Sequence, residues 1–155
     1  MDNNEVLNRN ILIAVDDSDN SRRAVSYVAR LLGGIKGFKV TILHVIPQPE
    51  DDFFPASAEK QQWLSEYRAR VDTVLEGYRQ ILIREGFEPT ALSLRSTLRY
   101  CPSIAECILL ESGEMDYGTI VVGRKGRSRS EEFLFGSVSN KIVSHARNCT
   151  VWVVE

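Results

Sequence analysis

The feature that most constrains the fold is a regular alternation of two hydrophobic patterns along the chain. The first run, Asn10 to Asp16, is almost continuously apolar, which is typical of a strand covered on both faces. A segment of helical periodicity follows, and the Gly33-Gly34 pair predicts its end. The apolar residues of that segment are Ala24, Val25, Val28, Ala29 and Leu32.

The same alternation continues to the end of the sequence. Further strands are predicted at Phe38 to Ile46, Thr90 to Thr97, Tyr117 to Gly123 and Thr150 to Glu155. Further helices are predicted at Glu59 to Glu85, from Pro102 at the first helical position to Gly113 as the stop, and from Gly136 onward. The order βαβαβαβαβ predicts a parallel sheet with right-handed crossovers and helices on both faces. With 155 residues, 43% of them hydrophobic, we expect a single α/β domain over residues 1–155, a three-layer doubly wound sandwich.

Charge and hydropathy narrow the class of partner. Lys and Arg number 19 against 21 Asp and Glu, so the net charge of -2 gives no general attraction to nucleic acid. The start "MDNNEVLNRN" has no leader pattern, and no apolar run approaches the roughly 18 residues that span a bilayer. We therefore expect a soluble cytoplasmic protein without a membrane or nucleic-acid partner.

The cysteines and histidines show no metal-ligand spacing. Cys101, Cys107 and Cys149 are odd in number and form no CxxC pair, so neither zinc nor a disulfide framework is expected. They are interpreted as small buried side chains or surface thiols. His44 and His145 lie far apart in sequence and are expected to be structural.

A glycine pattern after the fourth predicted strand indicates an anion site. Gly123, Gly126 and Gly136, followed by Ser137, give G-x2-G-x9-G-[S/T], with two glycines at a strand exit and one at a helix entry. Glycine allows close approach of a ligand, and a helix start offers N–H groups to phosphate. Ser137 and Ser139 can add hydroxyl donors. The pattern is neither a Walker loop nor a dinucleotide fingerprint, and each glycine alone could be a turn or a helix cap.

Charged residues lie close to this pattern and to the end of the first strand. The loop carries Arg124, Lys125, Arg127 and Arg129, which either face solvent or neutralise a polyphosphate. Asp16 leaves the central strand where the winding direction of a doubly wound sheet reverses, and ligands bind at such points. Its carboxylate could accept from a ribose hydroxyl or an amino group, help to hold a metal, or cap the first helix.

These residues resemble the universal stress protein family in its ATP-binding branch. The resemblance runs from "ILIAVDDSDNS" through "VTILHVI" and "PSIAECI" to "IVVGRKGRSRSEEFLFGSVSNKIV" and "VWVVE", nearly the whole chain. It implies a five-stranded parallel sheet of order 3-2-1-4-5. It also implies a homodimer formed by antiparallel pairing of the strand Thr150 to Val154, with Trp152 in contact.

The resemblance further implies a site for ATP or another adenine nucleotide, with or without Mg²⁺. Ala14 and Asp16 would border the nucleoside, and Val45 would contact the adenine. The ribose and phosphates would follow the glycine pattern. The implied site residues are Ala14, Val15, Asp16, Val45, Val122, Gly123, Arg124, Gly126, Arg127, Gly136, Ser137, Val138 and Ser139. Asp17 departs from the family, which often has glycine there.

Three functions remain open at this point. A stress-response module that binds ATP and changes shape or partners is favoured, because it needs no catalytic base and none is nominated. A slow ATPase or nucleotide-transfer enzyme would rely on positioning and charge neutralisation with Mg²⁺. A dimerisation module without nucleotide is the third hypothesis.

Overall fold

The computed structural model describes residues 6–46, 56–98, 100–124 and 136–155. The strands are β1 (Asn10–Ala14), β2 (Lys39–Ile46), β3 (Leu92–Leu98), β4 (Thr119–Gly123) and β5 (Thr150–Val154). The helices are α1 (Asp19–Leu32), α2 (Ser57–Arg84), α3 (Ile104–Glu114) and α4 (Ser137–His145). A 3-10 turn, Pro89–Ala91, precedes β3 and delays the predicted start of that strand by two residues.

The strands form one parallel sheet in the order β3-β2-β1-β4-β5. The register places Ala14 of β1 beside Leu43 of β2 on one side and Val122 of β4 on the other. Each connection between sequential strands carries a helix, as parallel pairing requires. The predicted doubly wound α/β sandwich, with order 3-2-1-4-5, is confirmed.

Alternation along β1 divides the core into two layers. Ile11 and Ile13 pack with α1 and α2 on one face, because successive side chains of a strand point to opposite sides. Leu12 and Ala14 pack with α3 and α4 on the other face. All four side chains are at most 8% exposed, which explains the nearly continuous apolar run in the sequence.

The amino end of the sheet is closed by backbone-to-backbone contacts. The ends of α1 and α2 meet there, where the Gly34 N–H donates to the Gly86 carbonyl over 3.3 Å. A Cβ on Gly33 would lie 2.8 Å from the carbonyl carbon of Glu85 and closer still to its oxygen. Gly86 itself has φ of +110°, a conformation that other residues rarely adopt.

The predicted ends of α3 were wrong at both sides. Pro102 is not in the helix, because Ser103 is the N-cap and its hydroxyl accepts from the Glu106 N–H over 3.2 Å. Gly113 lies inside the last turn, and the helix ends at Glu114. A side chain at Gly113 would meet open space, so this glycine marks no close contact.

The expectation that the cysteines are unpaired was wrong for two of them. Cys101 and Cys107 form a disulfide, with Cα atoms 5.7 Å apart. The chain turns into α3 between them, which brings Cys101 beside the first turn of that helix. The two cysteines are six positions apart, and their bond closes a local turn. This spacing matches none of the familiar cysteine motifs, so it gave no signal in the sequence. Cys149 is free.

In the described ranges, no helix has both the length and the apolar character that a membrane span requires.

Candidate functional site

A cavity of about 530 Å³ opens at the carboxyl ends of β1, β2 and β4. Its lining is more apolar than polar, and the first turn of α4 and the middle of α2 complete its walls. Gly126 and Arg127 lie outside the described residues. The other predicted site residues all line this cavity: Ala14, Val15, Asp16, Val45, Val122, Gly123, Arg124, Gly136, Ser137, Val138 and Ser139.

Asp16 lies just after the end of β1 and orders the turn that leads into α1. Its Oδ1 accepts from the Ser18 N–H and from the Ser21 hydroxyl, each over 2.9 Å. Ser18 is the N-cap of α1, since its Oγ accepts from the Ser21 N–H over 3.2 Å. Asp16 therefore orders the turn that leads into α1 rather than capping the helix itself. It also lies on the cavity wall beside Asp17.

His44 ties β2 to the end of β1 and to α2. Its Nδ1 lies 2.8 Å from the Val15 carbonyl oxygen, and its Nε2 lies 3.1 Å from the Tyr67 hydroxyl. Because a carbonyl only accepts, Nδ1 carries a proton and donates to Val15, and Nε2 forms the second hydrogen bond with the Tyr67 hydroxyl. The two rings are stacked with centroids 5.9 Å apart, and the Trp63 ring lies 5.1 Å from that of Tyr67. This arrangement fixes the aromatic side of the cavity.

Tyr78 supports the same corner from α2. Its hydroxyl donates to the backbone carbonyl of Asp16 over 2.6 Å. Burial, and after it the negative charge of Asp16, raises the pKa of Tyr78 to about 12. Tyr78 is therefore a neutral donor at physiological pH.

The opposite wall is organised by one backbone carbonyl. The Arg124 oxygen accepts from the Gly136 N–H over 2.7 Å and from the Ser139 hydroxyl over 2.8 Å. The Arg124 N–H in turn donates to the Val154 carbonyl over 2.7 Å. The buried Ser139 hydroxyl, predicted to face a ligand, points to backbone oxygens instead in this structure.

The start of α4 differs from the starts of α1 and α3, which serine side chains cap. Gly136 is its N-cap, with φ of -63° and ψ of 160°, and it provides no side-chain cap. The next residues, Ser137 and Val138, line the cavity. Amide groups of the first turn of α4 therefore face the cavity without a capping side chain.

Two cations also reach the cavity. Arg70 of α2 lies with its guanidinium carbon 5.7 Å from the centroid of the Tyr67 ring. Arg124 pairs with Glu155 over 2.5 Å. The cavity thus has a carboxylate side at β1 and cationic groups on the α2 and β4 sides.

A model described as the universal stress protein family matches residues 7–155. The chain belongs to this family. It is also 28% identical to a Staphylococcus haemolyticus protein named as a universal stress protein, over 150 residues that cover 94% of this chain and 84% of the other.

Solved structures of similar fold include members of the universal stress protein family. The hypothetical protein MJ0577 is 21% identical with a TM-score of 0.75, and 96% of each chain is covered. A universal stress protein in complex with cAMP is 18% identical with a TM-score of 0.67, covering 96% of this chain and 98% of the other. The Archaeoglobus fulgidus universal stress protein in complex with dAMP is 20% identical with a TM-score of 0.63, covering 96% and 99%. At these identities the likeness shows the shared fold.

In this universal stress protein, the contribution of α2 to the cavity was missed from the sequence. Its apolar stripe was interpreted as core packing alone, yet Tyr67, Arg70, Val71, Val74 and Leu75 line the cavity. Helix length was the available signal. A helix of 28 residues is about 42 Å long, whereas the 8 residues of β2 extend about 27 Å. The helix therefore exceeds the strand by about 15 Å, enough for part of it to extend past the strand ends.

Metal ligands are sparse in this family member. Within the ranges that the structure describes, no group of three or more His, Cys, Asp or Glu side chains is placed to hold a metal ion.

Proposed function

We propose that this universal stress protein binds ATP, or a closely related adenine nucleotide, in the cavity and acts as a nucleotide-dependent sensor or regulatory module in the stress response. The observation that carries the proposal is the start of α4, which faces the cavity with a glycine as its N-cap. Free amide groups and the positive end of the helix dipole together favour a phosphate there.

Two of the other helices that begin at this end differ from α4. Ser18 caps α1 and Ser103 caps α3, each by accepting a hydrogen bond from a first-turn N–H. Helix α2 also begins without a side-chain cap, at Ala56, but Ala56 does not line the cavity. A serine at position 136 could cap α4, whereas a glycine there, beside Arg124 on the cavity wall, leaves the first-turn donors to a ligand.

The rest of the cavity suits a nucleoside. Its volume falls within the range of roughly 300–1,000 Å³ found for small-molecule sites, and its lining is mainly apolar. Val45 and Val122 provide apolar surface for a base, and Asp16 provides acceptors for hydroxyl groups. Two proteins of the same fold were solved with cAMP and with dAMP, which are both adenine nucleotides.

Magnesium fits this site as a companion of the phosphates. Asp16 and Asp17 line the cavity, and Mg²⁺ is commonly held by one or two carboxylates together with substrate phosphates. When bound, it would neutralise phosphate charge between these carboxylates and the start of α4. Such binding agrees with the lack of a protein-only metal cluster among the described residues.

We propose binding rather than turnover as the main activity. The carboxylate of Asp16 is the candidate base nearest the strand ends, and its Oδ1 already accepts two hydrogen bonds that order the start of α1. These two hydrogen bonds make Asp16 a weaker proton acceptor, which favours binding and ordering over general-base catalysis.

We also propose a homodimer through β5. This strand lies at the edge of the sheet, where an exposed apolar strand can pair with a second copy. Trp152 is half-buried and meets the Tyr27 ring edge-on, with centroids 6.2 Å apart. Light scattering should give twice the mass of one chain, and a monomer mass at micromolar concentration would contradict this part.

The deciding experiment uses two substitutions at position 136. Thermal and urea unfolding are measured with and without ATP and Mg²⁺; the parent should gain about 2.7 kcal/mol at a nucleotide concentration of 100 Kd. In Gly136→Asp, the new carboxylate should cap α4 and hold or raise stability without ligand, while repelling phosphate and weakening binding more than about tenfold. Gly136→Asn caps without charge and should lose less affinity.

The outcomes separate cleanly. A folded parent that ATP does not stabilise overturns the proposed function. If the parent and Gly136→Asp bind equally well, the phosphates lie away from α4.

A further inference from the structure

We propose that Cys101 and Cys107 form a reversible thiol–disulfide modification site that controls the α3 wall of the cavity. The substrate of the site is a small-molecule thiol or its disulfide. The thiol chemistry stands on its own, whereas its consequence for ligand affinity rests on the proposed function above.

The disulfide encloses residues that shape the cavity. It joins Cys101, in the segment before α3, to Cys107 in the helix itself. Ser103, the N-cap, and Ile104, a cavity-lining side chain, lie between the two cysteines. Ile108, directly after Cys107, also lines the cavity. Closing or opening this bond therefore acts on the wall itself.

The two sulfur atoms differ in access. Cys101 is partly exposed, whereas Cys107 is 2% exposed. An external thiol therefore reaches the Cys101 sulfur first, and thiol–disulfide exchange requires such access. The buried sulfur of Cys107 is the leaving group on reduction and the resolving thiol on oxidation.

The exchange balances with a glutathione-type couple. A small-molecule thiolate attacks the Cys101 sulfur, the bond to Cys107 breaks, and Cys107 leaves as a thiolate that takes a proton. A second small-molecule thiolate attacks the sulfur of the first, which forms the small-molecule disulfide and releases the Cys101 thiol. Two electrons pass from the two small thiols to the protein, and the reverse sequence restores the bond.

The third cysteine competes poorly in this chemistry. Burial raises the pKa of the Cys149 thiol, which lowers the fraction present as the reactive thiolate. The free thiol lies in the turn between α4 and β5, outside the segment that the disulfide closes. It provides an internal control.

Reduction leaves part of the wall anchored. Lys141 of α4 contacts Glu106 over 2.5 Å and the Ser103 hydroxyl over 3.4 Å, so α3 stays linked to α4 without the disulfide. What is lost is the cross-link across Ile104. The reduced wall then has to be ordered when a ligand binds, and this ordering weakens affinity.

The first measurement counts thiols. The full-length protein is equilibrated with oxidised or reduced glutathione, acid-quenched, unfolded and alkylated, and its mass is recorded. One alkylated cysteine is expected after oxidation and three after reduction, since the chain has three cysteines and one is free in the disulfide form. Three alkylated cysteines in oxidised glutathione would overturn the site.

The second measurement reads the wall directly. Hydrogen exchange of residues 100–108 should be faster in the reduced protein, with or without nucleotide. Equal hydrogen-exchange rates in the oxidised and reduced proteins would overturn the proposal that the disulfide controls the α3 wall. This readout does not depend on whether ATP binds.

The third measurement is the affinity for ATP with Mg²⁺ by calorimetry. The oxidised protein should bind roughly threefold to tenfold more tightly, because its wall is already ordered. Equal affinities overturn the coupling while leaving the proposed function intact. If neither the oxidised nor the reduced protein binds ATP, the proposed function is rejected. The hydrogen-exchange rates then test by themselves whether the disulfide orders the α3 wall.

Matched variants isolate the pair. Cys101→Ser changes the more exposed cysteine, so it should fold, stay insensitive to glutathione and resemble the reduced parent. Cys107→Ala provides a second way to remove the bond. Cys149→Ser should respond to glutathione as the parent does; a lost response there would assign the effect to Cys149 and overturn the proposal.

Discussion

At the amino end of the sheet, glycines bring two backbones into contact, whereas at the carboxyl end Gly136 leaves a helix start open toward a cavity. A Cβ on Gly33 would overlap the Glu85 carbonyl, and one on Gly118 would lie 2.8 Å from the Asn8 Cβ. Gly136 instead begins α4 with a backbone that other N-cap residues also adopt. The same residue type therefore closes one end of the sheet and keeps the other available.

Gly123 shows that a glycine at the carboxyl end of the sheet can also allow close backbone packing. It lies at the cavity, yet a Cβ there would come within 2.9 Å of the Asn20 carbonyl carbon. Its lack of a side chain lets β4 approach the first turn of α1. In the glycine pattern of this loop, Gly123 thus has a packing role whether or not a ligand is bound.

The largest expected effect is at the closed end. Gly33→Ala should cost about 3 kcal/mol of unfolding free energy, because the ends of α1 and α2 must separate to admit the methyl group. Urea unfolding measures it. Gly77→Ala, in α2 with nothing within 4 Å of the added Cβ, is the matched control and should gain about 0.5–1 kcal/mol. A loss below about 0.5 kcal/mol for Gly33→Ala, within the range of ordinary surface changes, would break the comparison.

A smaller effect tests whether Gly123 belongs with the closed end. Gly123→Ala should cost about 2 kcal/mol, since the Asn20 backbone must shift by a few tenths of an ångström or more. Gly113→Ala, which meets open space in α3, should be neutral or stabilising. If Gly123→Ala leaves the unfolding free energy unchanged, then Gly123, like Gly136, is not needed to bring two backbones into contact.

Tyr78→Phe tests how firmly the carboxyl end is held on the β1 side. Loss of the bond to the Asp16 carbonyl should cost about 1 kcal/mol at neutral pH. The pKa of Tyr78 is about 12 in the folded protein, against an ordinary value of about 10. Between these values the unfolded chain releases the proton and the folded protein keeps it, so this stability falls as pH rises. The stability advantage of the parent in urea unfolding should shrink above about pH 10 and be lost before about pH 12; a constant difference would contradict the assignment.

The smallest pair of effects compares the two helix starts at the cavity. Ser18→Ala removes the cap of α1 and should cost about 1 kcal/mol. Gly136→Ala removes no capping side chain from α4 and should cost less than Ser18→Ala, although glycine is itself a better N-cap than alanine. Thermal unfolding of both variants without nucleotide measures these effects. Equal losses of stability would contradict the assignment of Gly136 as an N-cap without a capping side chain.

The architecture was accessible from the sequence because each element carries its own local pattern. The apolar run of β1 and the spacing in α1 predicted both elements, and the family resemblance gave the strand order that the sheet confirms. The predicted boundaries of α3 were wrong because a single side chain determines where a helix begins. The Ser103 cap moved the start of α3 past Pro102, and no periodicity shows which of two neighbouring residues will accept a hydrogen bond.

The sequence predicted the residues of the site only where they lie at or directly after the ends of strands. Asp16, Val45 and Gly123 lie at or beside strand ends, and parallel strands bring those ends together. The contacts that shape the cavity from α2 join positions far apart in sequence, such as Tyr78 and Asp16, whose numbers differ by 62. Hydrophobic spacing cannot distinguish a stripe that covers the sheet from one that rises beyond it. The Cys101–Cys107 bond was missed because no pattern marks a turn that brings two cysteines together.

The hydrogen bond from Gly136 to the Arg124 carbonyl has a consequence for protein engineering. It joins the two ends of the segment 125–135 at the base, and the Ser139 hydroxyl reinforces the same junction. The end of β4 and the start of α4 are thus aligned by direct contacts between described residues. Changes made elsewhere in the site should therefore preserve the Arg124 carbonyl oxygen and its two donors, because they set the position of α4 relative to the sheet.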